Sequence, residues 1–200
     1  MKKLILVFLL SFLVYGDSQQ TYEKTIVTEE VEYTNKELAK MIAYKYDTNI
    51  QHPFVDFCEK YHEIAIFHQM ENGVPASIQL AQAIVESGAG KSKLSRDANN
   101  LFGMKYYKQL FSGDYYTSES GTKWRKYNNF EESFDDHALF LKKFYPNAVG
   151  KDWKFWVKNC KGYGSGLYWY HIGIVIKRYE LHKYDNIVEF TINFNKTYQI

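Results

Sequence analysis

Net charge is almost absent from this chain: 25 Lys and Arg stand against 23 Asp and Glu over 200 residues, a formal balance of +2. That balance gives no ground for a nucleic-acid partner. Cysteine is scarce as well, and the spacing of Cys58 and Cys160 fits no zinc motif. The six His residues show no ligand pair within a metal motif, so no metal or cofactor is expected. The apolar run Leu4–Val14 falls short of the roughly 20 residues that span a bilayer, and no later stretch resembles a transmembrane helix. No Cys follows that run, which leaves a lipid anchor without support. Repeats and low-complexity tracts are also missing.

What is present begins with an export signature. Lys2 and Lys3 precede Leu4–Val14, and Val14 and Gly16 have the small size required around a cleavage site. Residues 1–16 therefore read as a leader cut before Asp17, which predicts a periplasmic or secreted protein without membrane contact after cleavage. Oxidising surroundings would allow a Cys58–Cys160 disulfide; two buried free thiols on apolar helical faces are the alternative. Length favours a single domain and a monomer. Aromatic content is high, with 18 Tyr and 14 Phe; sugars often stack on such rings, but abundance alone locates no site.

Residues 17–50 are polar, with a short strand expected at Thr25–Tyr33 and a helix capped by Asn35. From residue 51 the pattern is helical. Phe54, Phe57, Cys58, Tyr61, Ile64, Ala65 and His68 share one face, and Asn72-Gly73 ends the helix. Pro75 opens the next, whose stripe is Ile78, Ala81, Ile84 and Val85. A short helix from Ser92 to Ala98 follows. Leu101–Tyr127 changes character, with aromatic and β-favouring residues around Gly113 and Gly121, and predicts a hairpin. Asn129-Phe-Glu-Glu132 reads as a capping box with Asn at its head. Asp152 caps a short helix, Gly162–Gly166 is a glycine-rich loop, and Leu167–Lys183 is expected as one helix. Residues 186–200 form a tail, with Val188, Phe190, Ile192 and Phe194 alternating as a strand would.

Glu86 is the residue with the clearest chemistry. It ends an apolar helix, ahead of Gly88 and Gly90. The helix dipole disfavours charge there, and Ile84 and Val85 reduce solvation. Both effects raise a carboxyl pKa, as a general acid needs.

Three motifs in order, Glu86-Ser-Gly-x-Gly, Asn99-Asn-Leu-Phe-Gly103 and Tyr127-x-x-x-Glu-Glu-Ser-Phe-Asp-Asp-His137, resemble the glucosaminidase family of peptidoglycan hydrolases, over about Tyr61 to Asp185. The resemblance implies an α+β fold, mainly helical and lysozyme-like with a small β-hairpin lobe, occupying residues 51–185. It also implies hydrolysis of the β-1,4 bond between N-acetylglucosamine and N-acetylmuramic acid in peptidoglycan glycan strands. Glu86 is then the acid. In relatives a hairpin glutamate opposes it, and Glu119 is the Glu of that region here. Asp114 is a nearby substitute, and the substrate's own acetamido group can replace a second carboxylate. Asn99, Asn100 and Phe102 become candidate sugar contacts or ties for the turn. Asp135, Asp136 and His137 read more readily as structural than catalytic.

Tyr163 and Tyr168 flank the place where relatives carry Tyr-Ala-Thr-Asp-Pro-x-Tyr, and both are candidate substrate contacts. Here Gly166 and Leu167 replace Asp-Pro, which predicts a looser loop. Ala89 stands where many relatives have an aromatic. Two rival readings accompany the hydrolase. A lytic transglycosylase would carry a Gly-Leu-Met-Gln run, which this chain lacks. A non-catalytic wall-binding protein fits the altered loop but not the intact Glu86.

Overall fold

The computed structural model describes residues 2–14, 21–33, 52–164 and 166–186. The first two stretches pair as an antiparallel ribbon, β1 (Lys2–Val14) with β2 (Thr21–Tyr33), Lys2 opposite Tyr33 and Val14 opposite Thr21. The strand expected at Thr25–Tyr33 thus begins at Thr21. The helix expected from Asn35, the cleavage point near Gly16 and the strand expected through Val188–Phe194 lie outside the described residues.

From residue 52 the chain is α+β and mainly helical. It runs α1 (Pro53–Asn72), α2 (Ala76–Ser87), α3 (Lys93–Ala98), a hairpin of β3 (Tyr115–Thr117) and β4 (Lys123–Arg125), α4 (Phe130–Phe144), α5 (Trp153–Asn159) and α6 (Tyr168–Arg178). Short 3-10 turns follow at Pro146–Ala148 and Leu181–Asp185. Side chains cap several starts. Asn129 Oδ1 accepts from the Glu132 N–H at 2.9 Å, Asp152 Oδ1 from Phe155 at 2.8 Å, and Ser92 Oγ from Ser95 at 3.1 Å.

Helix α2 is the centre of this body. The sequence predicts a one-sided stripe, yet every residue from Ala76 to Ile84 is buried. Helices α1, α5 and α6 and the Leu181–Asp185 turn all pack on it. Small residues at Ala76, Ser77, Ala81 and Ala83 permit that close approach, and an enclosed helix is apolar on most sides. Val85, expected inside, is 40% exposed because the helix emerges from the core there. Around α2 lie Ile66, Leu101, Phe134, Leu141, Trp156 and Ile176, each fully buried and worth ~1.5–3 kcal/mol for a large apolar side chain.

The helix expected over 167–183 stops at Arg178, because Glu180 turns left-handed at φ 53. That turn reverses the chain, buries Leu181 and Tyr184, and delivers Asp185 to the start of α2. Leu101–Tyr127 is mostly loop with two three-residue strands and one further bridge, Lys105 to Trp124, since a turn at Tyr107–Phe111 interrupts it. Of the two states open for Cys58 and Cys160, the structure has the buried free thiols and not the disulfide. Cys58 sits in the core on α1, while Cys160 closes α5. Burial raises both thiol pKa values, that of Cys160 to about 11.

Candidate active site

The turn after α2 shows why Glu86 is followed by Ser-Gly-x-Gly. Gly88 ends the helix in the left-handed region at φ 59, and its N–H donates to the Ile84 carbonyl. Ser87 Oγ donates to the Ala83 carbonyl at 2.6 Å and accepts from the Gly90 N–H at 2.7 Å. The hydroxyl therefore ties the last helical turn to the loop behind it. Gly90, at φ 78, faces the Phe130 ring, and a Cβ there would lie 3.0 Å from Phe130 Cε2. Ala89 takes φ 57 without a glycine's freedom. The result is a rigid reverse turn that leaves the Glu86 side chain exposed at the surface.

Glu86 has one described partner of consequence. The Tyr168 hydroxyl, at the start of α6, lies near enough to the Glu86 carboxyl to favour its ionised form. The same hydroxyl accepts from Gln82 Nε2 at 3.1 Å. Gln82 is fully buried one turn before Glu86, and Tyr168 is 6% exposed. Surrounding protein raises the Glu86 pKa above its ordinary value, and the Tyr168 hydrogen bond partly opposes the rise. The helix C-terminus acts in the same direction as burial. Tyr163 packs on Tyr168 with ring centroids 5.0 Å apart and lies near enough to Glu86 to feel its charge. Its hydroxyl reaches His137 Nε2 at 3.3 Å and the Phe102 carbonyl at 3.4 Å. The two tyrosines expected as substrate contacts thus pack together beside Glu86.

The loop between them is more constrained than the missing Asp-Pro implies. Gly164 has φ 68, and a Cβ there would fall 2.4 Å from the Tyr168 ring. Glycine at 164 lets the loop lie directly on the ring that holds Glu86.

The other expected residues are placed differently. Asn99 caps α3 in the left-handed region at φ 52 and donates to the Tyr127 carbonyl at 2.9 Å. Asn100 is buried; its amide donates to the carbonyls of Met104 and Arg125 at 2.9 and 2.8 Å and accepts from the Met104 N–H at 2.9 Å. Phe102 is 3% exposed and stacks on His137 with centroids 3.7 Å apart. In this arrangement Asn100 and Phe102 frame the site without meeting solvent. His137 is fully buried, and desolvation, helped by nearby His68, lowers its pKa to about 3, so it is neutral.

Glu119 occupies the exposed hairpin turn and pairs with Lys93 at the start of α3. Tyr116 also donates to Asp97 on α3 at 3.2 Å. The hairpin tip is thereby held over the helix that follows the Glu86 turn. Its base is held by Asp136, which accepts from Arg125 Nη1 at 2.7 and 2.5 Å and from the Tyr127 hydroxyl at 2.5 Å. Asp135 accepts from His68 at 2.7 Å. The Asp-Asp-His run is accordingly a set of three clamps. Gln82 was not singled out in the sequence, although its spacing of four from Glu86 puts both on one helix face.

A helix-end carboxyl with a raised pKa, exposed beside a hairpin lobe, suits proton donation to a leaving oxygen. Comparison with known proteins agrees in class. A family model described as mannosyl-glycoprotein endo-beta-N-acetylglucosaminidase matches residues 62–181. The chain belongs to this glucosaminidase family of glycoside hydrolases. It is 34% identical over 151 residues to the exo-glucosaminidase LytG of Bacillus subtilis, covering 64% of this chain and 49% of that protein. An autolysin of Enterococcus faecalis is 37% identical over 116 residues, 49% of this chain and 15% of that protein. The chain therefore matches about half of the one relative and a small part of the other. The glycoside hydrolase domain of Salmonella typhimurium FlgJ has the same fold, with a TM-score of 0.55 at 22% identity over 72% of this chain and 99% of that domain.

Proposed function

We propose that the chain is an exported peptidoglycan hydrolase that cuts the β-1,4 bond on the reducing side of N-acetylglucosamine, with residues 1–16 as leader and 51–185 as catalytic unit. The observation that carries this reading is Glu86, at the exposed end of α2 beside Tyr168 and raised in pKa by the surrounding protein. Glu86 donates its proton to the leaving oxygen as the glycosidic bond breaks. The positive charge growing at the anomeric carbon needs a second group. Glu119 serves if the hairpin tip closes toward Glu86, which requires it to leave Lys93; otherwise the substrate's acetamido oxygen supplies it. Glu119→Gln separates the two. A large loss of turnover assigns the role to Glu119, and normal turnover assigns it to the substrate.

Reduction of a peptidoglycan digest with borohydride, followed by mass spectrometry, tests the bond. Reduced N-acetylglucosamine is the expected new terminus. Reduced muramic acid, or an anhydro-muramic end formed without water, would overturn the reading. The relative named an exo-glucosaminidase makes chain-end cutting a specific rival to internal cutting. Early release of disaccharides alone would favour it, whereas long oligosaccharides favour the internal cut expected here.

A further inference from the structure

The near-zero net charge conceals an uneven distribution. Between Trp153 and Arg178 the sequence holds Lys154, Lys158, Lys161, Lys177 and Arg178 and not one Asp or Glu. By contrast, α1 alone carries Asp56, Glu59, Glu63 and Glu71. Among the described residues no ion pair involves any of the five cations.

The fold gathers this stretch on one face. Helix α6 turns Trp169, Ile172 and Ile176 into the core and leaves Leu167, Tyr170 and Ile174 at 63%, 63% and 41% exposure. Their spacing of three and four makes one stripe. A groove of about 340 Å³ between α5 and α6 is lined by Trp153, Val157, Tyr170 and Ile174, with Lys154 and Lys177 beside them. Tyr170 also borders a neighbouring groove with Lys158 and Lys161. Gly173 forms the floor; a Cβ there would press on Val157 at 3.1 Å, so its absence lets the two helices close up. The surface is therefore an apolar stripe in a frame of lysines.

We infer that the outer face of α5 and α6 docks on an anionic lipid bilayer. Exposed Leu, Ile and Tyr gain from the boundary between headgroups and acyl chains, and lysines around them pair with anionic headgroups while their stems lie along apolar surface. A hydrated polyanion would satisfy the lysines and leave the stripe in water. A second copy meeting the same face about a two-fold axis would set lysine against lysine. The bilayer is the occupant that suits both halves of the surface. This proposal departs from the expectation of no membrane contact after leader cleavage, which rested on the lack of a later spanning segment.

A local probe tests this apart from the apolar run at residues 4–14 and apart from any catalytic reading. A polarity-sensitive fluorophore is placed on the full chain at Ile174→Cys, and in a control at Glu63→Cys on α1. Cys58 and Cys160 are buried and spared. Vesicles of phosphatidylglycerol and phosphatidylcholine in equal amounts are expected to blue-shift the label at 174 and not at 63, with loss of the shift at high salt. Lys154→Glu with Lys177→Glu should weaken the response ~25-fold, about fivefold for each lysine removed. No shift at 174, equal shifts at both positions, or a response indifferent to salt and to the lysine changes would overturn the proposal. So would saturation of the face by soluble poly(glycerol phosphate) without a shift on vesicles, which assigns it to a polyanion, or a concentration-dependent dimer lost in the lysine variant, which assigns it to a second copy.

Discussion

The two ends of α2 each present a carboxylate, and they differ in how much of its hydrogen-bonding capacity is already used. At the start, Asp185 accepts from the Ser77 N–H at 2.8 Å and from Ser77 Oγ at 2.6 Å. At the end, Glu86 is partly enclosed beside Tyr168 and still reaches the surface. Burial raises the pKa of both, that of Asp185 to about 7 despite its bonds to Ser77. Asp185 also borders a groove of about 760 Å³ beside Trp153 and His182. A raised pKa and a concave surface therefore do not single out the acid. The two differ in commitment: Asp185 is engaged in fastening the helix, while Glu86 has no comparable set of bonds, which favours it as the proposed acid.

The sharpest way to break the comparison is to neutralise each end. Glu86→Gln should fold normally and lose ~10²–10⁴-fold in turnover of purified peptidoglycan, the typical worth of general acid catalysis. Asp185→Ala should do the opposite. It leaves two Ser77 donors unpaired at a helix start, costing ~1–3 kcal/mol in denaturant unfolding, while turnover per folded molecule stays near that of the parent.

Asp185 also carries a pH signature. Its folded pKa, pushed up to about 7 by burial, lies above the ordinary value of 3.8. The folded state therefore holds the proton more tightly, and stability contributed by that proton is complete below 3.8 and lost as pH rises toward 7. Asp185→Asn should flatten this slope, as read by thermal unfolding across that window.

Tyr168→Phe sharpens the other end. Removing the hydroxyl takes away the bond that favours ionised Glu86, so the alkaline limb of the pH–rate profile should move to higher pH, with the fold retained. An unmoved or lowered limb would detach Tyr168 from the acid. The smallest effect concerns the turn itself. Ala89 bears a left-handed φ of 57 that costs a non-glycine residue ~1–2 kcal/mol, so Ala89→Gly should stabilise by about 1 kcal/mol, offset by the lost methyl contact.

The helices, their caps at Asn129 and Asp152, and the stop at Gly88 were legible because each depends on residues within one or two turns. Enclosure of α2 was not. Burial on its remaining sides comes from α5, α6 and the Leu181–Asp185 turn, and no local pattern encodes that. The same limit hid the site's inner wall. Gln82 lies at helical spacing from Glu86, but its bond to Tyr168 spans 86 residues of sequence. For Asn100 and Phe102 the sequence left two roles open, sugar contact or a tie for the turn, because polarity and an aromatic ring suit both. Their burial, and the Asn100 amide's full set of backbone bonds, are tertiary facts. The hairpin was legible within Leu101–Tyr127, whereas its short extent, Tyr115–Thr117 with Lys123–Arg125, was not.

Titration of the Glu86 carboxyl carbon by NMR, assigned by its disappearance in Glu86→Gln, tests the central claim most directly. A midpoint above the ordinary value of 4.5 is expected, with the proton still partly held where an unperturbed glutamate has lost it. A midpoint at or below 4.5 would mean that the exposed end of α2 holds an ordinary carboxylate, and Glu86 would lose its standing as the acid.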